Sequence, residues 1–310
     1  MRLEELCARV RRPPPSAGGA PAWALGCFRR RSITYFSGET DTSTRVYWLQ
    51  TRGLTADLRL PAARPSGGAL GDVEGGLAST RWDGERMSWS DWTSFQLHDR
   101  WPEPGVLRRV GDCLIEHAPS GAYVEDWRFQ PSSPGPLLGL RLVEERDAER
   151  GAGEVLHRGG GLVVCGPHAA FVRGRPRPLP VAEGRTLADV ARAGATDRAL
   201  LRAALACEAS YGTRTSDDDP FVVEASTDPR REGGTLLALD GFTLDGTGER
   251  VVQRAREDGR AIERVFTVET AEPDFAFPVA TPATPDARRW LEREAGLLLA
   301  AADTGRSRRL

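Results

Sequence analysis

Two amino acids are missing altogether: the 310-residue chain contains no lysine and no asparagine. Without lysine there is no Schiff-base chemistry, no pyridoxal-phosphate anchor and no Walker-A phosphate loop. Without asparagine there is no acceptor for N-glycosylation. Both residues have AT-rich codons, so their joint absence points to a very GC-rich bacterial genome. Cysteine is sparse and scattered. Cys7, Cys27, Cys113, Cys165 and Cys207 are odd in number and form no disulfide framework, which favours a reducing cytoplasm as the location. Nothing approaches the run of about 20 apolar residues that a membrane-spanning helix needs. The first stretch, MRLEELCARVRRPPPSAGGAP, has early acids and no apolar segment, unlike a secretory signal. A formal net charge of −2 gives no electrostatic reason to expect nucleic acid or a membrane surface as partner.

What is present is enough for a large core: 40% of residues are hydrophobic and eight are tryptophan, which excludes global disorder. Residues 1–24 read as an N-terminal extension, a short helix over 1–12 ended by RPPPSAGGAP. From about 25 to 180 the pattern is one of short alternating strands. TRVYWLQT (44–51) and LTADLRLP (54–61) flank Arg52-Gly53, a two-residue hairpin connection. ERMSWSDWTSFQL (85–97) places Met87, Trp89, Asp91, Thr93 and Phe95 on one side. DCLIEHA, AYVEDWRFQ, LLGLRLVEE and GGLVVCGPHAAFVRG follow. Roughly eight to ten such strands predict a closed or nearly closed antiparallel barrel rather than βαβ units.

RGRPRPLPVAEG (173–184) reads as an extended linker, since alternating prolines favour extended backbone. Residues 181–310 then read as helices, an antiparallel β meander and a C-terminal helix. Thr186-Leu187-Ala188-Asp189 fits a capping box, and DRALLRAALACEASYG carries helix formers up to Gly212, a plausible C-cap. Asp245-Gly246 and Asp258-Gly259 mark turns in the meander. TPDARRWLEREAGLLLAAAD is amphipathic, with Trp290, Leu291, Leu297 and Leu298 available for packing. The acidic SDDDP and the arginine runs FRRRS and SRRL read as solvated.

Four short motifs, DLRLP (57–61), GDVEGG (71–76), GAYVEDWR (121–128) and GLVVCG (161–166), occur in the order seen in the fungal Hri-type proteins and their bacterial relatives. Over residues 40–175 the chain resembles that family. The resemblance implies a lipocalin- or calycin-like β-barrel, with the D-L-R and Y-x-E-x-W-R segments as core strands, and no established enzymatic activity.

One strand carries a chemical anomaly. With period two, Tyr123, Glu125, Trp127 and Phe129 share a face, so a carboxylate sits in the most aromatic face of the chain. There it is costly unless paired or protonated, and desolvation would raise its pKa. The opposite assignment would expose Tyr123 and Trp127. Asp91, between Trp89 and Phe95, repeats the arrangement, and Asp57 and Arg59 share a face opposite Leu54, Ala56, Leu58 and Leu60. Acids and aromatics facing a barrel lumen describe a pocket for an apolar or aromatic small molecule. The expected catalytic groups are Glu125, Asp91 and Arg59, and the expected substrate contacts are Trp89, Trp127, Tyr123, Asp57 and Phe95. The bland alternative is that Glu125 and Arg59 form a buried ion pair that only fixes strand register. Cys113 with His117 and Cys165 with His168 resemble zinc-ligand pairs, but buried structural cysteine is commoner and no metal is expected. No cofactor is expected either. The functional expectation is therefore acid/base catalysis of a cyclisation, isomerisation or dehydration. Its rival is a non-catalytic ligand-binding or stress-associated barrel.

Overall fold

The computed structural model describes residues 1–10, 18–62, 70–98, 103–149, 153–181, 184–194, 197–278, 283–298 and 300. Residues 1–279 form one compact unit and residues 280–310 a second. The first unit is mainly β. Its first sheet runs through β1 (Gly26–Tyr35), β2 (Thr40–Asp41), β3 (Arg45–Gln50), β4 (Leu54–Leu60) and β5 (Glu74–Trp82). It continues through β6 (Arg86–Ser94), β7 (Gly105–Val110), β8 (Cys113–His117) and β9 (Tyr123–Phe129). Apart from the short β2, each strand pairs antiparallel with the next, and β9 pairs back onto β1. The result is a closed eight-stranded barrel.

Closure explains where the barrel ends. Alternation continues to about residue 180, but once β9 has taken the free edge of β1 the ring has no edge left to extend. The chain therefore starts a second antiparallel sheet with β10 (Gly135–Asp147), β11 (Val155–Arg158), β12 (Gly160–Cys165) and β13 (His168–Arg173). To these it adds β14 (Glu208–Thr213), β15 (Val222–Ser226), β16 (Phe242–Leu244), β17 (Arg250–Glu257) and β18 (Arg260–Phe275). The spatial order is β15-β14-β13-β12-β10-β18-β17-β16, with β11 on β10. The meander foreseen after residue 181 is thus part of a larger sheet that begins at 135.

The two sheets share a core. The outward face of β3 and β4, with Tyr47, Leu49, Ala56 and Leu58, packs on Ala170, Val172, Ala209 and Tyr211 of the second sheet. Tyr47 stacks on Tyr211 with ring centroids 4.0 Å apart. Gly75 lets the sheets meet: a Cβ there would lie 2.6 Å from that of Ala209. The apolar face of β4 thus looks away from the lumen, and the polar face, with Thr55, Asp57 and Arg59, looks in. A second cluster, including Leu138, Leu162, Phe171, Phe242 and Phe266, lies on the other face of the second sheet.

That cluster receives α1 (Leu3–Arg9) through Leu3, Leu6 and Cys7, so the N-terminal segment is built into the core. α2 (Leu187–Ala193) starts with the predicted capping box, Thr186 and Asp189 bonding each other's backbone. α3 (Arg198–Ala204) stops short of the expected Gly212. Glu208–Thr213 pair with β13 instead, because Ala209 and Tyr211 alternate into the core and the sheet outbids local helix propensity. α4 (Pro285–Leu298) belongs to the second unit. Among the described residues no helix is long and apolar enough to cross a membrane. The SRRL run lies outside the described residues.

Candidate functional site

Strand register decides which side chains meet inside the barrel. Trp48 lies opposite Asp57, Arg59 opposite Glu74, and Glu116 opposite Glu125, all on inward positions. They surround a cavity of about 660 Å³. Its walls are Trp48, Trp89, Trp92, Trp127 and Tyr123, and its polar groups include Thr55, Asp57, Arg59 and Glu116. Such a volume suits a small organic ligand. Two of the tryptophans, on β3 and β6, are held by hydrogen bonds as well as packing. Trp48 Nε1 donates to Gln50 Oε1 at 3.1 Å, and Trp89 Nε1 to Thr55 Oγ1 at 3.0 Å.

Glu125 is only 1% exposed and already engaged. Arg30 Nη1 donates to its Oε1 at 2.7 Å, while Arg59 Nη1 stands 3.7 Å away. Arg30 also reaches Asp41 at 3.0 Å. FRRRS is therefore not a fully solvated run: Arg30 is buried and is the closer partner of the carboxylate. Arg59 is bound first to Asp57, through Nε–Oδ1 at 2.8 Å. The ion pair foreseen between Glu125 and Arg59 exists as the longer arm of a five-residue network with Arg30, Asp41 and Asp57.

Glu116 is the residue that the sequence reading passed over. It is buried, and Trp127 Nε1 donates to its Oε2 at 3.2 Å while Tyr123 OH donates to its Oε1 at 3.3 Å. Among the described residues no cation lies within ion-pair distance of it. Burial, and then the negative charge of Glu125, push its pKa up to about 8. Gly105 on β7 makes room for it, since a Cβ there would stand 2.8 Å from Glu116 Oε1. A signal existed: in CLIEH, Glu116 alternates with Leu114 on the inward face, the same anomaly that singled out Glu125.

Trp89, Trp127, Tyr123, Asp57 and Arg59 line the cavity as expected from the sequence. Asp91 does not. A bulge shifts the β5–β6 register between Leu77 and Ser79, and Asp91 adopts a left-handed φ of 54° with its side chain exposed. Trp92 takes the lumen position that strict alternation would have assigned to Asp91. Phe95 is buried in the core beside the cavity rather than on its wall, and its carbonyl accepts from Arg175 at 2.5 Å. The proline-rich segment 173–184 is more than a linker, because Arg175, Pro176, Leu179 and Val181 form one side of the cavity.

No protein-family model, curated protein or solved structure matches this chain. The site rests on its geometry alone. Cys113 hydrogen-bonds Asp126 at 3.5 Å, and Cys165 and His168 face each other across the β12–β13 hairpin. His168 instead bonds Tyr211 OH at 2.9 Å, and burial lowers its pKa. Among the described residues no three metal-ligating side chains gather in one place. What the cavity offers chemically is a carboxylic acid that keeps its proton at neutral pH, beside carboxylates that are ion-paired. Two environments for one functional group are what separates an acid from a base in a single site.

Proposed function

We propose that the barrel encloses an apolar or aromatic small molecule between its tryptophans and acts on it through the protonated carboxyl of Glu116. The observation that carries this reading is the placement of that acid: buried, in no ion pair among the described residues, with the pull of Arg59 outweighed by burial and Glu125, and on the wall of an aromatic cavity. A neutral carboxylic acid in such surroundings donates a hydrogen bond or a proton to a carbonyl, hydroxyl or double bond of a bound molecule. Cyclisation, isomerisation and dehydration are the reaction types that proton transfer alone supports. Glu125 and Arg30 brace Arg59 from behind the cavity wall, Arg59 and Asp57 supply a fixed dipole beside the acid, and Trp48, Trp89 and Trp127 position the substrate.

A second reading has its own observation. Glu125, Asp57 and Arg59 are consumed by ion pairs with one another and with Arg30 and Asp41, as struts would be. On that reading the barrel only stores or carries its ligand. The calycin-like resemblance, which the closed antiparallel barrel supports, fits this alternative because its members have no established activity. Catalysis and carriage are separated by Glu116→Gln, which keeps shape and hydrogen bonding but has no proton to transfer. Affinity for a cavity ligand, read by quenching of the cavity tryptophans, is expected to change less than threefold. Turnover of a substrate found by metabolite screening is expected to disappear. Retained turnover in the Gln variant would remove Glu116 as the acid.

A further inference from the structure

The inner end of the cavity and its mouth differ in charge. Inside, Asp57, Arg59, Glu74 and Glu116 line the wall, and Arg59 is backed by Glu125 with its partner Arg30, which also holds Asp41. The mouth comes from a different part of the chain. Arg158 at the end of β11, and Arg175 and Arg177 beyond β13, line the cavity from the second sheet's side. Gly160 N–H fastens this lip to the barrel by donating to Thr93 Oγ1 at 3.0 Å.

The lip carries cationic charge that its acids do not match. Arg175 donates to the carbonyls of Ser94, Phe95 and Ala204 at 2.8, 2.5 and 2.9 Å. Its N–H groups are satisfied by neutral acceptors, so its charge is left in place. Arg158 lies 3.5 Å from Glu144, but that carboxylate is held more tightly by Arg146 at 2.6 Å. Arg177 is exposed and has no carboxylate partner among the described residues. Positive charge at the rim of a low-dielectric cavity attracts anions and orients them as they bind. The carboxylates at the inner end repel the same charge.

Resting on the reading of this cavity as a ligand site, we infer that its ligand is an amphipathic anion. The apolar or aromatic body lies among Trp48, Trp89 and Trp127, and a carboxylate or phosphate at one end stays at the mouth with Arg158, Arg175 and Arg177. The end of the molecule that reaches Glu116 is uncharged. Two probes with the same ring system test this: N-phenyl-1-naphthylamine, which is neutral, and 8-anilinonaphthalene-1-sulfonate, which is anionic. In fluorescence titrations at low salt the sulfonate is expected to bind about tenfold tighter than the amine. The double variant Arg158→Gln with Arg177→Gln is expected to bring that ratio close to one, and so is raised salt. Both replaced side chains are partly or fully exposed, and a thermal melt confirms the fold. Arg175 is left alone because it clamps three carbonyls.

Displacement of the amine by dodecanoate, dodecyl phosphate and dodecanol then assigns the head group, the stronger anion naming it. If the amine binds but the sulfonate binds no better, or dodecanol displaces as well as either anion, the anionic ligand is wrong while the cavity reading stands. A preference that survives the double variant overturns the assignment to this lip. Binding of neither probe overturns the cavity reading itself.

Discussion

Both halves of the first unit bury acids, and they treat them differently. In the second sheet Arg264 is wholly buried between Glu145 and Glu257, each at 2.6 Å. Arg173 bonds Glu208, which also receives Arg231 at 3.1 Å. Burial works to raise the pKa values of Glu208 and Glu257, but their arginine partners outweigh it and both end up lowered. Three acids meet three guanidiniums and the account is closed. The barrel uses the same device with Arg30, Arg59, Asp57 and Glu125, then adds Glu116 with two neutral donors and no cation of its own. The same physics yields the opposite protonation state, and among the acids lining the barrel cavity Glu116 has no ion-pair partner among the described residues. A matched set of buried charges is scaffold, whereas one left over is available for chemistry.

The strongest way to break this contrast is to remove a cation from each network. Arg264→Gln and Arg30→Gln each take the nearest cation from buried carboxylates, leaving Glu145 and Glu125 only a longer partner, and each is expected to cost about 3–5 kcal/mol in chemical denaturation. For Arg30 the loss should be non-additive with Glu125→Gln; additive losses would show that the two are not a pair. Glu116→Gln should act in the opposite direction. Folded Glu116 keeps its proton up to about pH 8, whereas an unfolded glutamate loses it near 4.5. The folded chain therefore binds more protons between those values, and its stability falls as pH rises through that window. The Gln variant is expected to match the parent at pH 4 and to exceed it by about 2–4 kcal/mol at pH 9. Equal stability at both pH values would mean that Glu116 ionises normally.

Smaller changes sharpen the comparison. Gly105→Ala pushes a methyl against the Glu116 carboxyl, and overpacking of this kind costs about 1–3 kcal/mol. It should also move the midpoint of any pH-dependent cavity tryptophan fluorescence, which a purely structural clash would leave in place. Asp91→Ala is the control. Its side chain is exposed on a bulge, so stability should change by less than about 1 kcal/mol and probe affinity not at all. A large loss of binding in this variant would return Asp91 to the site.

Much of the barrel was legible because period-two alternation records which face of a strand meets solvent. Thr55, Asp57 and Arg59 against Leu54, Ala56 and Leu58 were separated correctly, and the anomaly at Glu125 pointed to the right face of the right strand. Asp91 was misplaced because a bulge changes strand parity without any mark that alternation can detect. Arg30 was missed because neighbouring arginines make a run look solvated. The segment 205–212 favoured helix locally, and its pairing with β13 is a long-range contact that propensity does not contain.

The sequence by itself determined most strands of the barrel, the capping box at Thr186, the absence of lysine chemistry and the presence of acids on aromatic faces. These depend on residue identity and on neighbours a few positions away. Only the tertiary structure decided that the ring closes at Phe129, that β11 and residues 173–181 come back to line the cavity, and that Glu116 faces Glu125 without an ion-pair partner among the described residues. Those outcomes depend on which strands pair and in what register. A carboxyl group's proton is held or lost according to charges and solvent brought to it from distant parts of the chain.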